Sequence, residues 1–355
     1  MALISSLCIF VLVAHFSTPI VCHKRPHQAA LFVFGDSVFD AGNNNYINST
    51  VSFKANYFPY GESFFKYPTG TASNGRLIPD FVAEYANLPF IPPYFETGKK
   101  HLVVLAETNS GSVIDLSTQL KYFKNVGKLL KMKVGKTESK QILSNGVYIF
   151  SSGSNDFVAP LLANSTSPNY DRGHVHMIMG NLTSVLKGIY KEGGRKFVML
   201  NLAPLGCLPS VRALNLQKGV TNGSCMEKAT NLAKMFNSAL PKMLKQLKKQ
   251  LPGFKYTIFN FFKVVADSIN NPTKYGVKIS ETACCGTNPL RGIPSCGGNG
   301  QVKEYELCNN VKDYLFFDST HPSEHAYQKY SELLWNGTPD VVAPYNLKFL
   351  YELSI

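Results

Sequence analysis

Past its first 22 residues, this 355-residue chain has no apolar run long enough to span a bilayer, which sets a membrane-spanning protein aside. No cysteine pair has the CxxC-type spacing of a structural zinc site, and no metal or other cofactor is expected. No internal repeat, low-complexity tract or linker divides the chain, so residues 23–355 are read as a single domain. Acidic residues are scarce. The chain has 23 Asp and Glu against 36 Lys and Arg, a net charge of +13. The basic residues are scattered and no nucleic-acid-binding motif accompanies them, so nucleic acid is not the expected partner. Such a charge favours anionic matrix, acidic polysaccharide or lipid headgroups. The densest basic stretch, Lys242 to Lys249, alternates with Met243, Leu244 and Leu247 at helical spacing and reads as a solvated helix face over a core.

The one long apolar run lies at the start. Leu3 to Val13 is almost wholly apolar, no charged residue precedes Lys24, and polar, basic residues follow. Residues 1–22 are read as a secretory signal peptide, despite the missing charged n-region. With Cys8 and Cys22 in the leader, six cysteines remain: Cys207, Cys225, Cys284, Cys285, Cys296 and Cys308. An even number in a secreted chain suggests three disulfides, whose pairing the sequence leaves open. Cys284 and Cys285 are adjacent, so each is expected to reach elsewhere. Five N-x-S/T sequons, at Asn48, Asn164, Asn181, Asn222 and Asn336, make a glycoprotein the expectation once secretion is assumed.

Strand-like and helix-like segments alternate. Ala30–Phe34, Val147–Ser151, Lys196–Leu202 and Tyr256–Phe261 are short, apolar, and β-branched or aromatic. Helix patterns cover Ile78–Ala86, Asp115–Lys133, Val175–Glu192, Met226–Leu251 and Pro322–Trp335. In the fourth, Leu232, Phe236, Leu240, Met243 and Leu247 recur at three and four, with Pro241 expected to kink or split the helix. Pro322 is a plausible first helical residue of the last. This alternation implies a mostly parallel sheet covered on both faces. Cys284–Cys308, rich in Gly and Pro, reads as a stapled loop region.

Three polar clusters follow predicted strands or precede a helix: Gly35-Asp36-Ser37, Gly153-Ser154-Asn155-Asp156, and Asp318-Ser319-Thr320-His321. The carboxyl ends of parallel strands share one edge, so these loops can converge. A serine hydroxyl needs a base before it becomes a good nucleophile. His321 can be that base, and Asp318 can orient it and stabilise its imidazolium. Asn155 can donate an amide N–H to a developing oxyanion, beside the backbone N–H of Ser37. Taken singly, each has a plainer explanation. Ser37 and Asn155-Asp156 suit turns, and Asp318 suits an N-cap for the last helix. His174 and His176 read as surface residues, His325 as structural, and Cys284-Cys285 as disulfide-forming rather than redox-active.

The chain resembles the plant GDSL-type esterases/lipases of the SGNH hydrolase superfamily over essentially its whole mature length. The resemblance rests on "FVFGDSVFDAGNNNY" (32–46), "SNGRLIPDF" (73–81), "GSNDF" (153–157), "NLAPLGCLP" (201–209), "INNPTKYG" (269–276), "TACCG" (282–286) and "FFDSTHPSE" (316–324). "QAALFVFGDS" and "LIPDF" are most similar to secreted, defence-linked lipases of that family. The resemblance implies a flavodoxin-like three-layer α/β/α fold, an extracellular apoplast or cell-wall location, and metal-free hydrolysis of lipid or acyl esters. It implies Ser37 as nucleophile, Asp318 and His321 as the other triad members, and Asn155 as an oxyanion donor. Gly35, Asp36, Gly153 and Asp156 match the framework of those blocks. The G-x-S-x-G elbow of α/β-hydrolases is absent.

One stretch departs from the family. Ile91–Leu116 has no counterpart of the family's glycine-containing segment, which contributes a strand and a backbone N–H to the oxyanion hole. Gly111 matches a later glycine, and His101–Ala106 is a candidate substitute edge strand. Losing one oxyanion donor costs about a hundred- to thousandfold in rate. A shortened gene model, a weak enzyme and a silent protein all fit this gap. The alternative to an ester hydrolase is therefore a catalytically weak or inactive secreted glycoprotein that binds cell-wall or lipid surfaces.

Overall fold

The computed structural model describes residues 29–48, 54–96, 113–162, 172–220, 223–298 and 303–355. The leader, His101–Ala106, Gly111 and the sequon residues Asn164 and Asn222 lie outside them. Along the chain run β1 (Leu31–Gly35), α1 (Ile78–Tyr85), α2 (Leu116–Asn145), β2 (Val147–Ser151), α3 (Ser154–Leu162), α4 (Arg172–Lys191) and β3 (Lys196–Leu200). There follow α5 (Pro209–Gln217), α6 (Glu227–Gln250), β4 (Lys255–Phe259), α7 (Phe261–Asn270), β5 (Cys285–Gly286) and β6 (Glu306–Leu307). The chain ends with α8 (Glu324–Asn336), β7 (Val342–Ala343) and α9 (Leu347–Glu352).

The main sheet has the order β1-β2-β3-β4-β7. Its first four strands are parallel, and the short β7 pairs antiparallel with β4. Strands β1, β2 and β3 are buried at every position, as expected of strands covered on both faces. One face carries an aromatic ladder. Phe32 stacks on Tyr148 with centroids 4.6 Å apart, and Phe34 stacks on Phe150 at 4.8 Å. Phe123 of α2 meets Phe32 and Tyr148 edge-on. Cross-strand aromatic pairs of this kind hold register as well as burying area. Helices α2, α4 and α6 pack side by side, as do α1, α8 and α9. The architecture is the three-layer α/β/α arrangement.

The four long strands lie within a residue or two of their sequence limits, and other elements differ. Helices α3, α5, α7 and α9 are additional. Helix α2 runs past Lys133 to Asn145, interrupted at Gly135, whose φ is 81°. Helix α6 continues through Pro241 instead of splitting there. Pro241 lies on the exposed face, while Leu232, Phe236, Leu240, Leu244 and Leu247 are buried in one core on both sides of it. Packing outweighs the single backbone bond that proline removes. Helix α8 starts at Glu324 with Ser323 as its N-cap, so Pro322 precedes the cap instead of opening the helix. The cysteines pair as Cys207–Cys225, Cys284–Cys308 and Cys285–Cys296. The last two staple the region around β5 and β6.

Among the described residues, β1 pairs only with β2, leaving its other edge without a strand. A side chain serves part of that edge. Gln119 of α2 is fully buried; its Oε1 accepts from Gly35 N–H at 3.3 Å, and its Nε2 donates to Gly35 C=O at 3.3 Å. The carboxamide thus supplies one donor and one acceptor, as a neighbouring strand residue would. Replacing Gln119 with Leu orphans both backbone groups. Gln119→Leu is expected to lower stability by about 1–3 kcal/mol, read as a fall in the urea midpoint at unchanged slope. An unchanged midpoint contradicts the capping role.

Candidate active site

Parallel register brings the ends of the strands into line. Gly35 pairs with Ser151 at the carboxyl ends of β1 and β2. Gly35 has φ 154°, and a Cβ there would lie 2.1 Å from the Ser151 carbonyl oxygen. Only glycine lets the chain turn out of β1 so close to β2. Gly153, at φ 110°, makes the corresponding turn out of β2.

The residues after these turns are tied together. Asp36 is buried and accepts from Ser154 Oγ at 2.6 Å and from Ser151 Oγ at 3.1 Å. Asp36 immediately precedes Ser37, and Ser154 immediately precedes Asn155. One hydrogen bond therefore sets the spacing between the loop bearing Ser37 and the first turn of α3 bearing Asn155. Burial raises the pKa of Asp36, its hydrogen bonds only partly offsetting this. Burial, with Asp36 nearby, also pushes Asp156 up to about 7.

The third loop enters from just before α8. Phe317 N–H donates to His321 C=O at 2.8 Å, closing a tight turn. Inside it, Asp318 Oδ1 accepts from the backbone N–H groups of Thr320 (2.8 Å) and His321 (2.7 Å). His321 Nδ1 lies 2.8 Å from Asp318 Oδ2, and His321 Nε2 lies 2.7 Å from Ser37 Oγ. A carboxylate only accepts, so Nδ1 carries the proton and Nε2 is free to accept from the Ser37 hydroxyl. Tyr60 completes the set, its hydroxyl donating to Asp318 Oδ2 at 2.9 Å.

The electrostatics separate acid from base. Burial alone would raise the pKa of Asp318, but the His321 charge and the hydrogen bonds from His321 and Thr320 outweigh it and leave Asp318 below its ordinary value. Burial alone would lower His321; the Asp318 charge and hydrogen bond, with Asp36 beyond, outweigh it and raise His321 above its ordinary 6.5. The arrangement can take a proton from a serine hydroxyl and hold it as a paired imidazolium.

Two cavities meet at this centre. One of about 250 Å³ is lined by Ser37, Asp40, Lys54, Tyr60, Ile114 and Cys296. The other, about 50 Å³, lies on the side of β3 and α7. Ser37, Asn155 and His321 border both. Asp318 is not a helix cap, since Ser323 holds that role. His325 binds the Tyr275 carbonyl, a structural contact. His174 is half-buried rather than a surface residue, its Nε2 2.9 Å from the Asp156 carbonyl oxygen. Asn48, Asn181 and Asn336 are exposed. Among the described residues, no group of three or more His, Cys, Asp or Glu is placed to hold a metal ion. Tyr60 and Gln119 were not singled out in the sequence. A tyrosine in a "FPYG" turn and a glutamine on an amphipathic helix carry no local signal of a partner 258 or 84 residues away.

Residues 31–334 match the family model described as GDSL-like Lipase/Acylhydrolase. "GDSL esterase/lipase 4" of Arabidopsis thaliana is 46% identical, the match covering 93% of this chain and 92% of the relative. "GDSL esterase/lipase 5" of Arabidopsis thaliana is 44% identical, over 99% and 94%. A "GDSL lipase" of Tanacetum cinerariifolium is 43% identical, over 97% and 93%.

Only neutral His321 can accept the Ser37 proton. A base of raised pKa makes activity rise with pH through a midpoint above 6.5. Its stability contribution runs the other way: present in full below the unfolded histidine's pKa, lost as pH climbs through the folded value. Asp318→Asn is expected to move the acid limb of kcat/KM downward while lowering the plateau. An acid limb unmoved by Asp318→Asn contradicts the assignment.

Proposed function

The chain belongs to the GDSL-like lipase/acylhydrolase family, and we propose that it is a secreted serine hydrolase of carboxylic esters working through an acyl-enzyme. The observation that carries this is the unbroken relay from Ser37 Oγ through His321 to the buried Asp318. Ser37 Oγ attacks the ester carbonyl carbon as His321 Nε2 takes its proton. The oxyanion is held by Ser37 N–H and the Asn155 amide. The ester C–O bond then breaks, and His321 returns the proton to the leaving alcohol. A water molecule, activated by the same histidine, attacks the acyl carbon and frees the acid and Ser37.

Three disulfides support an oxidising compartment. Among the described residues, no helix is long and apolar enough to cross a membrane. Exposed Lys121, Lys124, Lys128, Lys131, Lys136 and Lys140 on α2, within a chain of net charge +13, favour adhesion to an anionic cell-wall polysaccharide.

One variant separates chemistry from surface. Purified Ser37→Ala is expected to hydrolyse p-nitrophenyl acetate at least about a thousandfold more slowly than the parent, yet to stay on a pectin column until salt elutes it. Equal hydrolysis by parent and variant defeats the ester-hydrolase proposal; passage of both through pectin at low salt defeats the adhesion proposal.

A further inference from the structure

We infer that the smaller of the two cavities at Ser37 is the acyl chamber, and that the enzyme acts on esters of short acids, up to about four carbons, with larger alcohols. This rests on the ester-hydrolase proposal above and deepens it.

The chamber wall is mainly apolar, with Ser151, Ser154, Asn155, Asn201 and Thr320 as polar members beside Ser37 and His321. Leu200, at the end of β3, forms part of the wall with Leu205 and Leu208. Phe261 and Val265 of α7 add to it, with Phe316 of the strand-like run before Asp318. All six are buried. Ser37 and His321 are part of its wall, so a carbonyl carbon at Ser37 Oγ can send its chain into it.

Size decides what fits. The chamber holds about 50 Å³. An apolar cavity of about 150 Å³ takes one six-atom benzene ring, so roughly two or three non-hydrogen atoms beyond the carbonyl carbon fill this one. An acetyl, propionyl or butyryl chain fits, and an octanoyl chain does not. The cavity on the other side is about 250 Å³ and is edged by Lys54, Asp40 and Tyr60.

The order of the two chemical steps assigns the sides. The alcohol leaves first, and water must then reach the acyl carbon from the side the alcohol vacated. A chamber of about 50 Å³ filled by the acyl chain is a poor route for that water. The cavity of about 250 Å³, once the alcohol has left it, admits it. The acyl group therefore occupies the narrow side and the alcohol the wide one.

Octyl acetate and methyl nonanoate are isomers of one formula, differing only in which side of the ester carries the long chain. The parent enzyme, first shown active on p-nitrophenyl acetate, is expected to cleave octyl acetate at least roughly tenfold faster than methyl nonanoate, since excess methylenes in an apolar pocket are rejected by such factors. A smaller ratio, or cleavage of neither by an enzyme active on p-nitrophenyl acetate, overturns the chamber and leaves the ester-hydrolase proposal standing. Inactivity on p-nitrophenyl acetate as well removes that proposal and this one with it. Val265→Ala, or Leu208→Ala should the first not fold, is expected to raise the ratio of kcat/KM for p-nitrophenyl hexanoate over acetate by roughly fivefold. An unchanged ratio in a folded variant overturns the chamber.

Discussion

The Asp36 carboxylate is buried at the end of β1, where it accepts hydrogen bonds from Ser151 and Ser154. An acceptor in that position stitches the first strand to the second and the second strand's loop to the first. Its grip depends on Gly35, since any Cβ there would collide with the Ser151 carbonyl. Gly35 is held in turn from the open side of β1 by Gln119. Ser37 thus sits one residue beyond a junction fixed on both flanks. In the proposed mechanism, a serine placed this way needs little reorganisation when His321 takes its proton.

Charge is distributed unequally among the buried acids at this edge. Asp318 has a cationic partner within reach and backbone N–H donors besides, so it stays ionised. Burial raises Asp36 beyond what its hydrogen bonds from Ser154, Val38 and Ser151 offset, and burial with Asp36 nearby raises Asp156, so both are pushed toward the neutral form. Environments that drive like groups apart in pKa are a mark of acid–base sites. Tyr60 strengthens the asymmetry by donating to Asp318. The two cavities then divide the space around one serine into an acyl side and an alcohol side, so the residues that set reactivity also mark the border of specificity.

Much of this was legible in the chain. Strands ending in glycine turns are written as apolar runs followed by Gly-Asp or Gly-Ser, and the parallel-sheet rule then brings Ser37 and Asn155 to one edge; His321, on a loop that follows none of those strands, is recognised by its chemistry with Asp318. Short helices such as α3 and α7 were not legible, because nine or ten residues beside a loop give little periodicity. Pro241 misled because its local cost is real, but the stripe from Leu232 to Leu247 is buried along its full length. Tyr60 and Gln119 escaped notice because each acts across the fold on a residue distant in sequence. Nothing in a local window distinguishes them from ordinary turn and helix residues.

The most direct test of an activated serine is covalent. A tagged fluorophosphonate reacts with a serine only when a base raises its nucleophilicity, and mass spectrometry then locates the adduct. The account predicts a single adduct on Ser37 in the parent protein and none in a His321→Ala variant that still melts cooperatively. An unlabelled parent that melts cooperatively, or equal labelling of the two proteins, would contradict it.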